Sequence, residues 1–174
     1  MIAVDTQILI YAHRAESSWH ETASKRLAEL AESSSLWAIP MHCLVEFYAK
    51  VTQAAVYRPA TPPLKAIEQV NIWLEAPRVR VLDENAQTWL VLRDLLHAAR
   101  VTGPRAYDAR IAAVCLQHGV TELWTADRDF LVYPALRVRN PLVDIQPTHA
   151  GERRGTYRVK TASGSSRRPA RSRR

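Results

Sequence analysis

Short apolar runs alternate along this chain with longer stretches in which apolar residues recur every three or four positions. Ile2 to Val4 reads as a strand. Asp5 interrupts the run, and "TQILIYAHR" and "SWHETASKRLAELAESS" then read as helices, the second with Trp19, Ala23, Leu27 and Leu30 on one stripe. "LWAI" (36–39) is a second strand, stopped by Pro40, and "HCLVEFYAKVTQAAVY" sets Leu44, Phe47, Tyr48 and Val51 at helical spacing. The breaker "YRPATPP" (57–63) precedes a helix over about 64–75. "RVRVL" (78–82) alternates as a strand does, and "ENAQTWLVLRDLLHAAR" (84–100) is an amphipathic helix. "VTGPR" is a loop, "YDARIAAVCLQHG" a helix ending at Gly119, "TELWTA" a strand, and "RVRN" (137–140) the last strand, before Pro141.

Strands and helices alternating on this scale predict an α/β domain built on a parallel sheet with helices on both faces. In such sheets ligands gather at the carboxyl ends of the strands. Asp5 stands at the carboxyl end of the first strand, and Asp127 follows closely on "LWTA".

Composition changes this picture mainly at the end of the chain. With 174 residues and 47 % hydrophobic content, the length suits one domain with a proper core. The net charge is +7, but residues 151–174 hold nine Lys or Arg against the single acid Glu152, whereas residues 1–150 are close to neutral at −1. The domain is expected to span 1–146 and to be followed by a basic, disordered tail over 147–174. In that tail only Tyr157 and Val159 are sizeable apolar residues, too few to offset the entropy of ordering it. Its composition fits either a solubilising segment or a non-specific nucleic-acid arm. No apolar run approaches the roughly 20 residues of a membrane span and no signal peptide precedes Asp5, which points to the cytoplasm. Cys43 and Cys115 each sit in an apolar helical pattern and are expected to be buried free thiols.

The acidic residues carry the candidate chemistry. Asp108 heads a helix whose Ile111, Ala112 and Cys115 follow at i+3, i+4 and i+7, so it belongs to the buried face. The first-turn amides and the helix dipole favour its ionised form there, and a plain capping Asp would look the same. Glu46 shares a face with His42, Ala49, Lys50 and Gln53, where a boundary Glu is the ordinary occupant. The His42/Glu46 pair could bind a metal, but a surface hydrogen bond is the better explanation of the spacing, and no second His-rich cluster supports zinc. Asp127 and Asp129 in "TADRDF" each suit a helix N-cap before Phe130 and Leu131. Asp5 is the hardest to explain as ordinary. Between Val4 and the apolar Ile8, Leu9 and Ile10, its desolvation is costly unless it has partners or a ligand. Lys50, Arg110 and Arg128 lie near these acids in sequence and could touch phosphates or stay solvated, while Trp124 is expected in the core rather than as a base-stacking surface.

If the carboxylates converge, two unit charges about 4 Å apart repel by roughly 4 kcal/mol at an effective dielectric of about 20, and a divalent cation removes the conflict. Oxygen ligands without Cys or a His cluster favour Mg²⁺ or Mn²⁺ over zinc. Such an ion suits hydrolysis of a phosphodiester by water.

"VDTQILIYAHR", "IPMHCLVEFYAKVT", "YDARIAAVCLQHGVTELWTADRDF" and "LRVRNPLV", in this order and spacing from Met1 to about Val143, resemble the PIN-domain family, specifically the VapC toxins of bacterial toxin–antitoxin pairs. The resemblance implies a three-layer α/β/α sandwich with a central parallel sheet. It also implies a Mg²⁺- or Mn²⁺-dependent endoribonuclease acting on RNA, held inactive by a cognate VapB-like antitoxin, and a homodimer. On the matching positions, Asp5, Glu46, Asp108 and Asp127 occupy the acidic places of the family's site. Asp5 and Asp108 would be the principal metal ligands, with Glu46 and Asp127 ligating directly or through water and orienting the attacking water. Thr6 would support the site by hydrogen bonding, and Asp129 would be an auxiliary. The chain departs from the pattern at Gln7, where the family usually has Asn; the amide is kept but a methylene is added, which can shift the groups around the metal. An apolar groove among the helices around 9–30 and 44–56 suits an inserted antitoxin helix.

Two other classes compete with this expectation. A catalytically silent PIN module would bind antitoxin or RNA through its surface and tail, and the presence of all four acids argues against it. A Mg²⁺-dependent phosphatase with a nucleophilic Asp normally has a second Asp two residues after the first, where this chain has Gln7.

Overall fold

Ala3 and Val4 lose all contact with solvent because β1 (Ile2–Val4) is the middle strand of a five-stranded parallel sheet. The computed structural model describes residues 1–143. The expected domain boundary at 146 and the basic segment 147–174 lie outside the described residues.

The remaining strands are β2 (Trp37–Pro40), β3 (Val79–Leu82), β4 (Glu122–Trp124) and β5 (Val138–Arg139), and the sheet order is β3-β2-β1-β4-β5. Ile2 is in register with Trp37 on one side and with Glu122 on the other. Six helices accompany them among the described residues: α1 (Thr6–His13), α2 (His20–Glu32), α3 (Met41–Val51), α4 (Pro63–Leu74), α5 (Ala86–Ala98) and α6 (Arg105–Gln117). The α/β architecture with a central parallel sheet is the one the alternation of patterns predicts. From β1 the chain builds outward through β2 and β3, then returns to add β4 and β5 on the other side. The order therefore reverses between β1 and β4, and a crevice at the carboxyl ends of these strands is where such sheets place ligands.

Local chemistry sets where the elements stop. The sequence pattern carries α3 through Tyr57, yet the helix ends at Val51. The Thr52 hydroxyl donates to the Tyr48 carbonyl at 2.7 Å and the Thr61 amide takes the Val51 carbonyl at 2.8 Å, so the next helical turn has lost its acceptors. α6 starts at Arg105, inside the stretch read as a loop, because Pro104 is already in helical geometry and its missing N–H costs nothing at a helix start. Asp108 thus lies in the first turn without capping the helix. Trp19 falls outside α2 and is exposed, leaving Ala23, Leu27 and Leu30 as the buried stripe, and Tyr48 is likewise on the surface.

The core runs through Ile8, Leu9, Trp37, Ile39, Phe47, Val51, Val114, Leu123 and Phe130. The Phe47 ring meets Trp73 and His13 edge-on, with centroids 4.8 and 5.2 Å away. Cys43 and Cys115 are buried and free, as expected, and Trp124 is in the core, its indole N–H donating to Glu122 at 2.9 Å. At the C-terminal end of α1, Arg14 is buried as well. Its Nε donates to Glu16 at 2.6 Å, its two terminal nitrogens donate to the Thr61 hydroxyl at 3.0 Å and the Pro59 carbonyl at 2.9 Å, and its guanidinium covers the Tyr57 ring at 4.5 Å. This cluster ties the α3–α4 connection to the end of α1. Among the described residues no helix is long and apolar enough to cross a membrane.

Candidate active site

The sheet carries Asp5 to the end of β1, where its amide still donates to the Trp124 carbonyl of β4 at 3.0 Å. Its side chain turns back to cap α1: Oδ1 accepts from the Thr6 amide at 2.7 Å. Oδ2 accepts from the hydroxyl of Thr125, the residue after β4, at 2.7 Å, and the Cys43 thiol lies 3.9 Å from Oδ1. Only 5 % of Asp5 is exposed. Burial pushes its carboxyl up to about 6, against the two hydrogen bonds that pull it down, and the charges of Glu46 and Asp108 push the same way as burial.

Glu46 approaches from α3. The Thr6 hydroxyl donates to Glu46 Oε2 at 2.6 Å, and Lys50, one turn on, pairs with Oε1 at 2.9 Å. Burial would raise Glu46, but these two partners together hold it below the usual carboxylate range. Thr6 therefore links the two acids through its amide and its hydroxyl.

Asp108 sits half-buried in the first turn of α6, with no hydrogen bond or ion pair to its carboxylate among the described residues. Burial raises its pKa, followed by the charges of Asp127, Asp129 and Glu46, with Arg105 opposing. The five acids singled out in the sequence thus share one electrostatic neighbourhood. Asp127 also does what an N-cap does: its Oδ1 accepts from the Asp129 amide at 2.8 Å at the head of a short 3-10 helix over Arg128–Val132. Asp129 is exposed and stands 3.7 Å from Arg105. Among the described residues no three His, Cys, Asp or Glu side chains close into a ready metal cage.

The other candidates are placed as follows. Gln7 is half-buried, and its side chain has no hydrogen bond among the described residues. Arg110 is held by Glu84, its Nε 2.7 and 2.8 Å from the two carboxylate oxygens, and Arg128 is exposed. His42 makes no hydrogen bond with Glu46; its ring lies parallel to Tyr107, with centroids 6.0 Å apart and planes 9° apart. Two contributors escaped the sequence reading, Thr125 and Tyr107. Thr125 is fully buried, lies 120 positions from Asp5, and also accepts from the Asp127 amide at 3.0 Å. Its signal was a Thr two residues before an acid at the end of a strand.

The PIN domain family matches residues 2–136. The chain belongs to this family. Within it, the PIN domain described here is 33 % identical over 142 residues to the VapC ribonuclease Mb2897 of Mycobacterium bovis, covering 82 % of this chain and 96 % of that one. It is 30 % identical over 145 residues to ribonuclease VapC24 of Mycobacterium tuberculosis, covering 82 % and 97 %. Among solved structures, Mycobacterium tuberculosis VapC20, described as a sarcin-ricin loop cleaving toxin, matches with a TM-score of 0.60 at 22 % identity over 80 % of this chain and all of that one. VapBC2 of Rickettsia felis, bound to a DNA fragment from its promoter, matches equally well at 0.60 and 21 % identity, over 80 % of this chain and 98 % of that chain. At that identity the likeness speaks for the PIN fold.

Proposed function

We propose that this PIN domain is the toxin of a type II toxin–antitoxin pair and an endoribonuclease that hydrolyses RNA phosphodiester bonds with Mg²⁺ or Mn²⁺. The observation that carries the reading is the state of Asp5: a buried carboxylate, pushed up to about 6 with Glu46 and Asp108 adding to the push, which a bound cation would relieve. The donor set fits such an ion. It is all oxygen, the Asp108 carboxylate has no hydrogen bond or ion pair among the described residues, and a hard ion that keeps several waters needs only one or two carboxylates. When bound, the ion supplies Lewis acidity, which makes water a competent nucleophile at neutral pH and offsets charge developing on the phosphodiester.

Asp5 and Asp108 would hold it. Glu46 stays ionised next to them and can orient the attacking water, with Thr6 fixing its position, and Asp127 completes the acidic rim from the β4 side. Asp129, paired with Arg105, is an auxiliary. Thr125 keeps the Asp5 carboxylate facing the crevice. Residues 1–146 make up this domain, and the basic segment 147–174 is additional to it. The relatives named VapC ribonucleases support RNA as substrate, and the VapBC structures support a VapB-like antitoxin as partner. The seat for an antitoxin helix moves from the helices around 9–30 and 44–56 to a hollow among α1, α2 and α4, where Ser24 and Gln69 stand beside the apolar Ala12, Leu27, Ile72 and Trp73. A homodimer and a cytoplasmic location belong to the same reading.

The test is cleavage of a mixed cellular RNA pool by purified protein in Mg²⁺, Mn²⁺ or EDTA, beside Asp5→Ala. Discrete cuts that need the metal and vanish in the variant are expected. A folded, antitoxin-free protein that cuts nothing under any metal overturns the reading in favour of a silent binding module.

A further inference from the structure

RNA is a polyanion, and the crevice proposed to cut it is rimmed by five carboxylates. Of the nearby cations, Lys50 is paired with Glu46, Arg110 with Glu84, and Arg105 faces Asp129, while the exposed Arg128 is flanked by Asp127 and Asp129. The contact such a rim can offer without charge repulsion is the flat face of an aromatic ring, because every nucleobase has a π-face. Tyr107 presents one. It is 60 % exposed and stands immediately before Asp108, while Phe47, Trp124 and Phe130, also close to the acids in sequence, are buried and Tyr48 faces α4 beside Met41, Leu44 and Ile67. The Tyr107 ring is not loose: it lies within 9° of parallel to His42 at 6.0 Å between centroids. His42 is one turn before Glu46 and shares its face of α3. Tyr107 and His42 thus bridge the first turns of α6 and α3, next to Asp108 on α6 and one turn before Glu46 on α3.

We propose that Tyr107, backed by His42, is the stacking platform for a nucleobase of single-stranded RNA next to the phosphodiester to be cut. The assignment rests on the ribonuclease reading and deepens it, since a base can lie on the ring only if unpaired and splayed from its neighbours. Tyr107 then selects loops and single strands over duplex, and it acts on binding rather than on the chemical step.

The experiment measures binding in EDTA, where no cleavage interferes, of a short single-stranded oligoribonucleotide carrying 2-aminopurine at successive positions. Wild type and Tyr107→Phe are expected to quench the same base, and Tyr107→Ala to lose the quenching and bind roughly tenfold more weakly at an unchanged melting temperature. An abasic residue at the quenched position should weaken wild type by the same factor and leave Tyr107→Ala unaffected. In Mg²⁺ the alanine variant should raise KM and spare kcat. Equal affinity and quenching in wild type and Tyr107→Ala overturns the platform, and so does a variant that binds RNA normally but changes its oligomeric state, which would give the ring to a protein interface. RNA that stacks on Tyr107 but is cut under no metal sinks the ribonuclease reading and leaves the platform standing.

Discussion

Arg14 and Asp5 are almost equally buried, with 8 % and 5 % exposed, yet their surroundings treat charge in opposite ways. Around Arg14 the chain supplies a carboxylate, a hydroxyl, a carbonyl and an aromatic face, so each guanidinium nitrogen finds an acceptor. Around Asp5 it supplies two donors and then adds the negative charge of Glu46 and Asp108. A buried charge that serves the fold is neutralised by its own neighbours. One that is left in deficit, next to others like it, is kept ready for something that arrives from outside.

The sharpest test of this contrast is activity. Asp5→Ala or Asp108→Ala should reduce metal-dependent RNA cleavage to background while circular dichroism and melting show an intact fold; cleavage at the wild-type rate would end the assignment. Next comes Arg14→Ala, expected to cost about 3 kcal/mol in denaturant unfolding because Thr61, Pro59 and Glu16 lose their donor. Arg14→Lys should recover little of it, since an ammonium cannot span three acceptors set around a planar fork. A loss within the range of ordinary surface changes would break the comparison from the Arg14 side.

A third test turns on pH. In metal-free protein Asp5 holds its proton up to about 6, whereas in the unfolded chain it releases it near 3.8. The folded state therefore binds more protons between those values, and stability falls as pH rises through that window and stays low above it, by about 3 kcal/mol. Asp5→Asn should flatten that slope and be more stable than wild type above pH 6. Mg²⁺ should restore wild type there and leave the Asn variant unmoved. Thr125→Val removes the hydroxyl that favours ionised Asp5, so it should cost about 1–2 kcal/mol above the window and less below it. The smallest effect belongs to Lys50→Ala: the pair with Glu46 is half-exposed and its loss should change stability by about 0.5 kcal/mol or less.

What could be read from the sequence and what could not divide along the same physical line. Period and punctuation placed the strands, and Asp5 stood out because capping α1 alone does not call for an acid buried between Val4 and Ile8. Asp108 and Asp127 were visible as acids at the starts of elements and Glu46 as an acid on the boundary face of a helix, each with an ordinary explanation, and one of these, the capping by Asp127, is true as well. Invisible were the contacts made by folding itself: Thr125 to Asp5 across 120 positions, Arg14 to Thr61 across 47, and Tyr107 on His42. No window of local pattern reports which distant hydroxyl will arrive. The end of α3 was missed for a related reason, because the amide that takes the Val51 carbonyl belongs to Thr61, beyond the breaker.

On the ribosome, the strand that ends at the centre of the sheet is made before the other four described strands, and its neighbour β4 is made more than a hundred residues later. A product cut short before Thr125 has Asp5 without its hydroxyl and β1 without β4. It also lacks Asp127, so the proposed site is incomplete in it. What it does hold is an apolar strand with one row of backbone groups bare, which is a template for sticking to other chains. The cost of a copy without β4 is therefore aggregation, and the site proposed for the nuclease assembles only once Thr125 has joined β1.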